Sequence, residues 1–198
     1  MKTYFARRRP VADMTARQTA TEVVLVDYGL GNLRSVTRGL ERAGADVTLT
    51  DDPADIDAAA DGTPLFGICL GMQMLLTSSE EADHVGEGDV EGLDLVPGRN
   101  VRFSTDLTVP HMGWNELDVE RDHPLVEGID GEYAYFVHSY YARPDDDGAV
   151  VATTDYGVEF PSVVADETGT VFGTQFHPEK SGETGLRILR NFVDLCPS

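Results

Sequence analysis

Two short stretches of this sequence carry residue types that could activate a nucleophile. In Gly67-Ile68-Cys69-Leu70-Gly71 a cysteine stands between two glycines, within the apolar run "TPLFGICLGMQMLL" (63–76). This is the G-x-nucleophile-x-G form of a strand-to-helix elbow, in which small flanking residues let a strained turn pass close to its neighbours. At a helix N-terminus the unpaired N–H groups favour thiolate, and the N–H of the next residue, Leu70, can point at a developing oxyanion. The second stretch is "TQFHPEKSG" (174–182), where His177 and Glu179 flank Pro178. In an extended segment residues two apart point to one side, so Glu179 can hold one imidazole nitrogen while the other faces a thiol. Nucleophile, base and orienting acid are the parts of a triad. A buried structural cysteine is the competing reading, since free Cys packs as a small hydrophobe.

The elements that must position these residues read as α/β. "EVVLVDYG" (22–29) is a buried parallel strand. In the helix that follows, Leu33, Val36, Leu40 and Ala43 recur at helical spacing, with Asn32 as N-cap and Gly44 just past the end. "ADVTLTDD" is a second strand, so the opening is β-α-β and the sheet at least partly parallel. Gly29 and Gly31 begin a GxG, but Arg34 stands where a dinucleotide fingerprint needs glycine. "TPLFGI" is a third strand, and "LGMQMLL" starts a buried helix. The second half is β-rich with turn signals, including a hairpin turn at "ADETGT" (165–170). "SGETGLRILRNFVDL" closes the chain as a helix with Leu186, Leu189, Phe192 and Val193 on one face.

The 198 residues and 41% hydrophobic content fit one globular domain. Residues 1–21 read as a basic N-terminal extension without a signal-peptide core, Met14 offers a second start, and 22–198 form the domain. No apolar run nears the roughly 18 residues of a membrane span, so a soluble, cytoplasmic protein is expected, with no membrane partner. The formal charge is −20, with 13 Arg but only two lysines, Lys2 and Lys180. Such a charge argues against a nucleic-acid partner and suits a salt-rich cytoplasm, where self-repulsion is screened. Cys69 and Cys196 cannot build a disulfide framework. The five histidines form no HxH or HExxH spacing, so neither a metal site nor a cofactor is expected.

"GICLGMQ" with "QFHPEKSG" resembles the class I, triad-type glutamine amidotransferases. "DYGLGNLRSV", "PHMGWN" and "YFVHSYY" bring the resemblance to the glutaminase subunits of imidazole glycerol phosphate synthases, over residues 22 to about 195. The resemblance implies a three-layer, flavodoxin-like mixed sheet with antiparallel strands in the C-terminal half. It implies Cys69 as the thiol nucleophile toward glutamine, His177 as base and Glu179 as its orienting acid. Leu70, Gln73, His138, Ser139 and Tyr140 would hold the substrate. The expected partner is a (β/α)8-barrel cyclase subunit in a heterodimer, receiving ammonia for histidine biosynthesis. Asn32, Trp114, Tyr135 and Lys180 would lie at or near the surface facing it.

One part of that pattern is missing. The family places a strand, a glycine-rich loop and a helix before the elbow strand, and here only residues 53–62 separate the second strand from it. A parallel crossover needs roughly 10 to 12 residues, so a strand-loop-helix unit reads as deleted, together with a second oxyanion donor. A deletion in the recorded gene, a natural inactive variant and a repaired fold remain open. So do a different synthase partner, a non-catalytic module that docks on the cyclase, and an elbow-cysteine hydrolase.

Overall fold

The computed structural model describes residues 20–27, 29, 32–51, 64–81 and 89–197. Residues 1–19 of the N-terminal extension and the interval 53–62, where the deletion is expected, lie outside these, and Thr21, assigned to the extension, opens the first strand. β1 (Thr21–Val26), α1 (Leu33–Ala43) and β2 (Ala45–Thr50) form the expected opening, with β1 and β2 parallel and in register from Thr21↔Ala45 to Val26↔Thr50. The Asn32 side chain accepts the Ser35 N–H at the start of α1, and Gly44 ends the helix at φ 105°, a left-handed conformation that L side chains avoid.

A five-stranded sheet carries the site. Its order is β3 (Leu65–Ile68), β13 (Val171–Thr174), β12 (Glu159–Ala165), β11 (Val150–Asp155) and β8 (Asp118–Val119). β3 runs parallel to β13 and the other pairs are antiparallel, so the sheet is mixed. The β12–β13 hairpin closes where expected, with the Asp166 carboxylate accepting the N–H groups of Thr170 and Val171. Alternation along the strands separates two cores. Val163 and Phe172 face a large cluster with Phe136, Phe160, Phe176 and Ile188, whereas Val164 and Val171 face a smaller one with Met72, Leu75 and Leu76.

The C-terminal helix α3 (Gly182–Leu195) buries Leu186, Leu189, Phe192 and Val193, as the sequence pattern predicts, and packs against α1 on the large-core side. On the other side lie the short α2 (Leu70–Met74) and a sheet ordered β10 (Tyr140–Pro144), β6 (Val96–Arg102), β4 (Leu76–Ser79), β5 (Val90–Glu91). The buried helix expected over 70–76 therefore stops at Met74. Leu76 pairs instead with Val96 of β6, and Asn100 Nδ2–H donates to the Gln73 carbonyl at the end of α2 (2.7 Å). β7 (His111–Glu116) and β9 (Tyr133–His138) make a separate antiparallel ribbon. Among the described residues β1–β2 pair only with each other, and no strand joins β1 to β3.

Candidate active site

Cys69 sits at the junction of β3 and α2, with φ 53° and ψ −104°. Among the described non-glycine residues it shares a positive φ only with Asp94. Such a conformation persists where the surroundings impose it. The Cys69 N–H donates to the Thr174 carbonyl at the end of β13 (2.7 Å), and the Cys69 carbonyl accepts from Gln73 N (3.1 Å) in the first turn of α2. The flanking glycine is needed for closeness: a Cβ on Gly67 would lie 2.6 Å from the backbone of Gly71 and Met72. The expected elbow is thus present, on a helix of only five residues.

His177 and Glu179 meet, by a different local geometry from the one expected. His177 is extended, but Pro178–Lys180 then forms a single 3-10 turn, with proline at its first position where its missing N–H costs nothing. His177 Nδ1 lies 2.9 Å from Glu179 Oε1, with the side chains 16% and 1% exposed. Burial opposes charge on the imidazole. Interaction with the Cys69 sulfur and with the Glu179 carboxylate outweighs it and raises the His177 pKa to about 9. The turn is stapled to the ribbon: His177 N–H donates to the Tyr135 carbonyl (2.9 Å), Ser181 Oγ–H donates to the His177 carbonyl (2.7 Å), and Tyr135 N–H donates to Ser181 Oγ (2.9 Å).

Cys69, Leu70, His177, Glu179 and Asn32 line one cavity of about 480 Å³, walled mainly by apolar residues of β1, α1, β3 and α2. Gln73 is buried behind the elbow and donates to the Tyr140 carbonyl (2.9 Å). That carbonyl also lies 2.8 Å from His138 Nδ1, so residues 138–140 are tied to α2 through Gln73. Ser139 links β9 to β10, its carbonyl accepting from Phe103 N. His138 is neutral at neutral pH: desolvation pushes its pKa down to about 3, with the nearby His111 and His177 adding to this against the Tyr140 carbonyl.

The remaining expected residues divide between two places. Trp114 and Tyr135 are cross-strand partners on β7 and β9, in edge contact, and the Lys180 ammonium lies 5.8 Å from the Tyr135 ring centre. Trp114 is 53% and Met112 61% exposed, so this ribbon face presents apolar surface to solvent. Asn32 lies on the cavity side, at the start of α1, which packs against the 178–180 turn. Among the described residues no cluster of ligating side chains could hold a metal ion, and no helix is long and apolar enough to cross a membrane.

Two residues near the site were not anticipated. His111 Nδ1 lies 3.0 Å from His138 Nε2, opposite it in the β7–β9 register. Gln175 is fully buried, with Nε2 3.8 Å from Cys69 Sγ and Oε1 3.3 Å from Gln73 Nε2. Its position two before His177, on the same strand end, was the available signal.

Residues 46–196 match the model of the family described as glutamine amidotransferase class-I. The chain is 69% identical to the imidazole glycerol phosphate synthase subunit HisH of Natronomonas pharaonis, over 92% of this chain and 99% of that one. It is 64% identical to the subunit of the same description from Halobacterium salinarum, over 90% and 95%. The alignment with the first runs to 212 residues, longer than this whole chain. That relative therefore carries residues with no counterpart here. Among solved structures, PurLQS from Thermotoga maritima is similar in fold, with a TM-score of 0.68 at 19% identity over 88% of this chain and 98% of that one.

Proposed function

The chain belongs to the class-I glutamine amidotransferases and, within them, to the imidazole glycerol phosphate synthase subunit HisH family, and from that membership we propose that it is the glutaminase subunit of that synthase. It hydrolyses glutamine to glutamate and ammonia, and the ammonia serves a cyclase subunit in histidine biosynthesis. The observation that supports this most is the placing of Cys69 on a strained elbow beside His177, itself held by Glu179, along one cavity.

In the proposed reaction the Cys69 thiolate attacks the side-chain carbonyl carbon of glutamine. The carbonyl electrons move to oxygen, where the Leu70 N–H faces them. As the tetrahedral intermediate collapses, the C–N bond breaks and His177, charged at neutral pH, gives its proton to the departing ammonia. A γ-glutamyl thioester remains. Water then loses a proton to His177 and attacks the thioester, and glutamate leaves as the C–S bond breaks. Glu179 keeps the imidazole oriented throughout. The backbone around His138, Ser139 and Tyr140 receives the substrate's α-amino and α-carboxylate groups, and Gln73 helps hold the substrate from behind the elbow through its bond to the Tyr140 carbonyl.

The domain is residues 22–198. The partner is a (β/α)8-barrel cyclase in a heterodimer, docking on Trp114, Tyr135 and Lys180, with Asn32 near the edge of that contact. The apolar exposure of this ribbon, stapled through Tyr135 to the His177 turn, supports the placement.

A second reading is a docking module that binds the cyclase and cleaves glutamine poorly. The relatives' longer alignments favour it, because a lost loop would remove an oxyanion donor worth about 10² to 10³ in turnover. Glutamate release from glutamine, measured with and without the cyclase and its nucleotide substrate, for this chain and for Cys69→Ala, decides between them. Release that disappears with the thiol supports the glutaminase. Tight cyclase binding without release supports the module, and release that survives Cys69→Ala defeats the assignment of the nucleophile.

A further inference from the structure

The sulfur of Cys69 has a neighbour whose orientation the hydrogen-bond network fixes. The Tyr140 carbonyl can only accept, so the Gln73 side-chain atom 2.9 Å from it is the amide nitrogen. The second N–H of that nitrogen is directed at Gln175, 3.3 Å away, which must therefore present its oxygen. The Gln175 amide is thereby turned with its nitrogen toward Cys69 Sγ, at 3.8 Å. A flipped Gln175 would set two N–H donors against each other and face the sulfur with an oxygen. The residue is fully buried, and its backbone N–H donates to the Ser162 carbonyl (2.9 Å) one residue after Thr174, which anchors the Cys69 N–H.

We propose that Gln175 is a further catalytic residue, whose side-chain N–H donates to the Cys69 sulfur and holds it as the attacking thiolate. The proposal rests on Cys69 being the nucleophile. The two protonation states of the sulfur then have separate partners. The thiol can donate to the Val137 carbonyl at 3.9 Å, and the thiolate accepts from Gln175 and faces His177. A hydrogen bond to a charged acceptor is stronger than one to a neutral acceptor, so the Gln175 contact favours ionisation. The titratable groups around it are His177 with Glu179 on the turn after β13, and His138 on β9, coupled to His177. Tyr140 and Gln73 complete a chain from the substrate strip to the sulfur: carbonyl, amide, amide, thiolate.

Two measurements test this without glutamine, so they do not depend on turnover. The first follows the Gln175 side-chain amide of the wild-type chain by ¹⁵N NMR across the titration of Cys69. The amide proton should shift as the thiol ionises and stay flat in Cys69→Ala. An amide that does not respond to ionisation in the wild type overturns the proposal. The second is the pH profile of iodoacetamide alkylation in a Cys196→Ser background. Gln175→Met removes the donor without adding charge, and its midpoint should rise by about one unit, with alkylation near neutrality about tenfold slower. Gln175→Glu keeps an acceptor for Gln73 and should move the midpoint further, since a carboxylate also repels the thiolate. A shift in Gln175→Glu with none in a folded Gln175→Met means charge alone acts, and defeats the donor role. Failure of glutamate release in the wild type, with these profiles as expected, would instead count against the glutaminase reading and leave the Gln175 contact standing.

Discussion

The His177 imidazole is where the chemistry of this chain is most exposed to test. Its pKa near 9 reflects burial overcome by the Cys69 sulfur and the Glu179 carboxylate. Glu179→Gln should therefore lower it, which ¹H–¹³C NMR of the ring would read directly, and cut turnover by about a hundredfold or more. The sign of the linkage follows from a folded value above the free value of 6.5. The imidazolium contributes its full stability below pH 6.5 and loses it as pH rises through 9. Wild type should thus lose stability over that interval, and Glu179→Gln should show a smaller loss in denaturant titrations taken at successive pH values. The thiol and the His–Glu pair were legible in the sequence because glycine spacing and proline impose local geometry. Gln175 and His111 were not, because their meaning depends on contacts with residues more than a hundred and nearly thirty positions away, Cys69 and His138.

The elements hold these side chains through backbone contacts that tolerate little added volume. A Cβ on Gly185 would stand 1.9 Å from the Pro178 carbonyl oxygen, where α3 crosses the turn bearing Glu179. Gly185→Ala should cost about 1 to 3 kcal/mol by chemical denaturation and reduce glutamate release as that turn shifts. Ser181→Ala removes the staple between that turn and β9, taking the acceptor from the Tyr135 N–H and the donor from the His177 carbonyl at a buried site. A loss of about 1 to 3 kcal/mol is expected. The β-α-β opening, the β12–β13 hairpin and α3 were readable from periodicity and caps. The start and burial of α2 were readable too, but its end was not. Its apolar run through Leu76 satisfies a helix pattern, yet pairing with β6 takes the chain into a strand, an instance of tertiary context overriding local preference. The 3-10 turn at Pro178–Lys180 was similarly invisible, because proline after histidine suits both an extended chain and a first helical position.

At the scale of the molecule the net charge of −20 governs behaviour. Self-repulsion is screened by salt, so the melting temperature should rise as monovalent salt is raised from low to molar concentration. A flat or falling dependence would remove the reading of an acidic surface fitted to salt. The exposed Trp114 face is the proposed docking surface. Trp114→Ala should weaken cyclase binding by about 2 kcal/mol, roughly thirtyfold, in a titration calorimeter while leaving Cys69 alkylation unchanged. The layered α/β fold was legible from the order of elements, whereas the division of the strands into four sheets was not, since pairing between distant strands leaves no local mark. The central claim, that Cys69 forms a covalent bond to the glutamyl group, is reached most directly by acid-quenching the chain during turnover of glutamine with its cyclase and mapping the peptides by mass. The account predicts a glutamyl adduct on the peptide bearing Cys69, absent from Cys69→Ala. Turnover with that peptide unmodified, or with the adduct on Cys196, would contradict it.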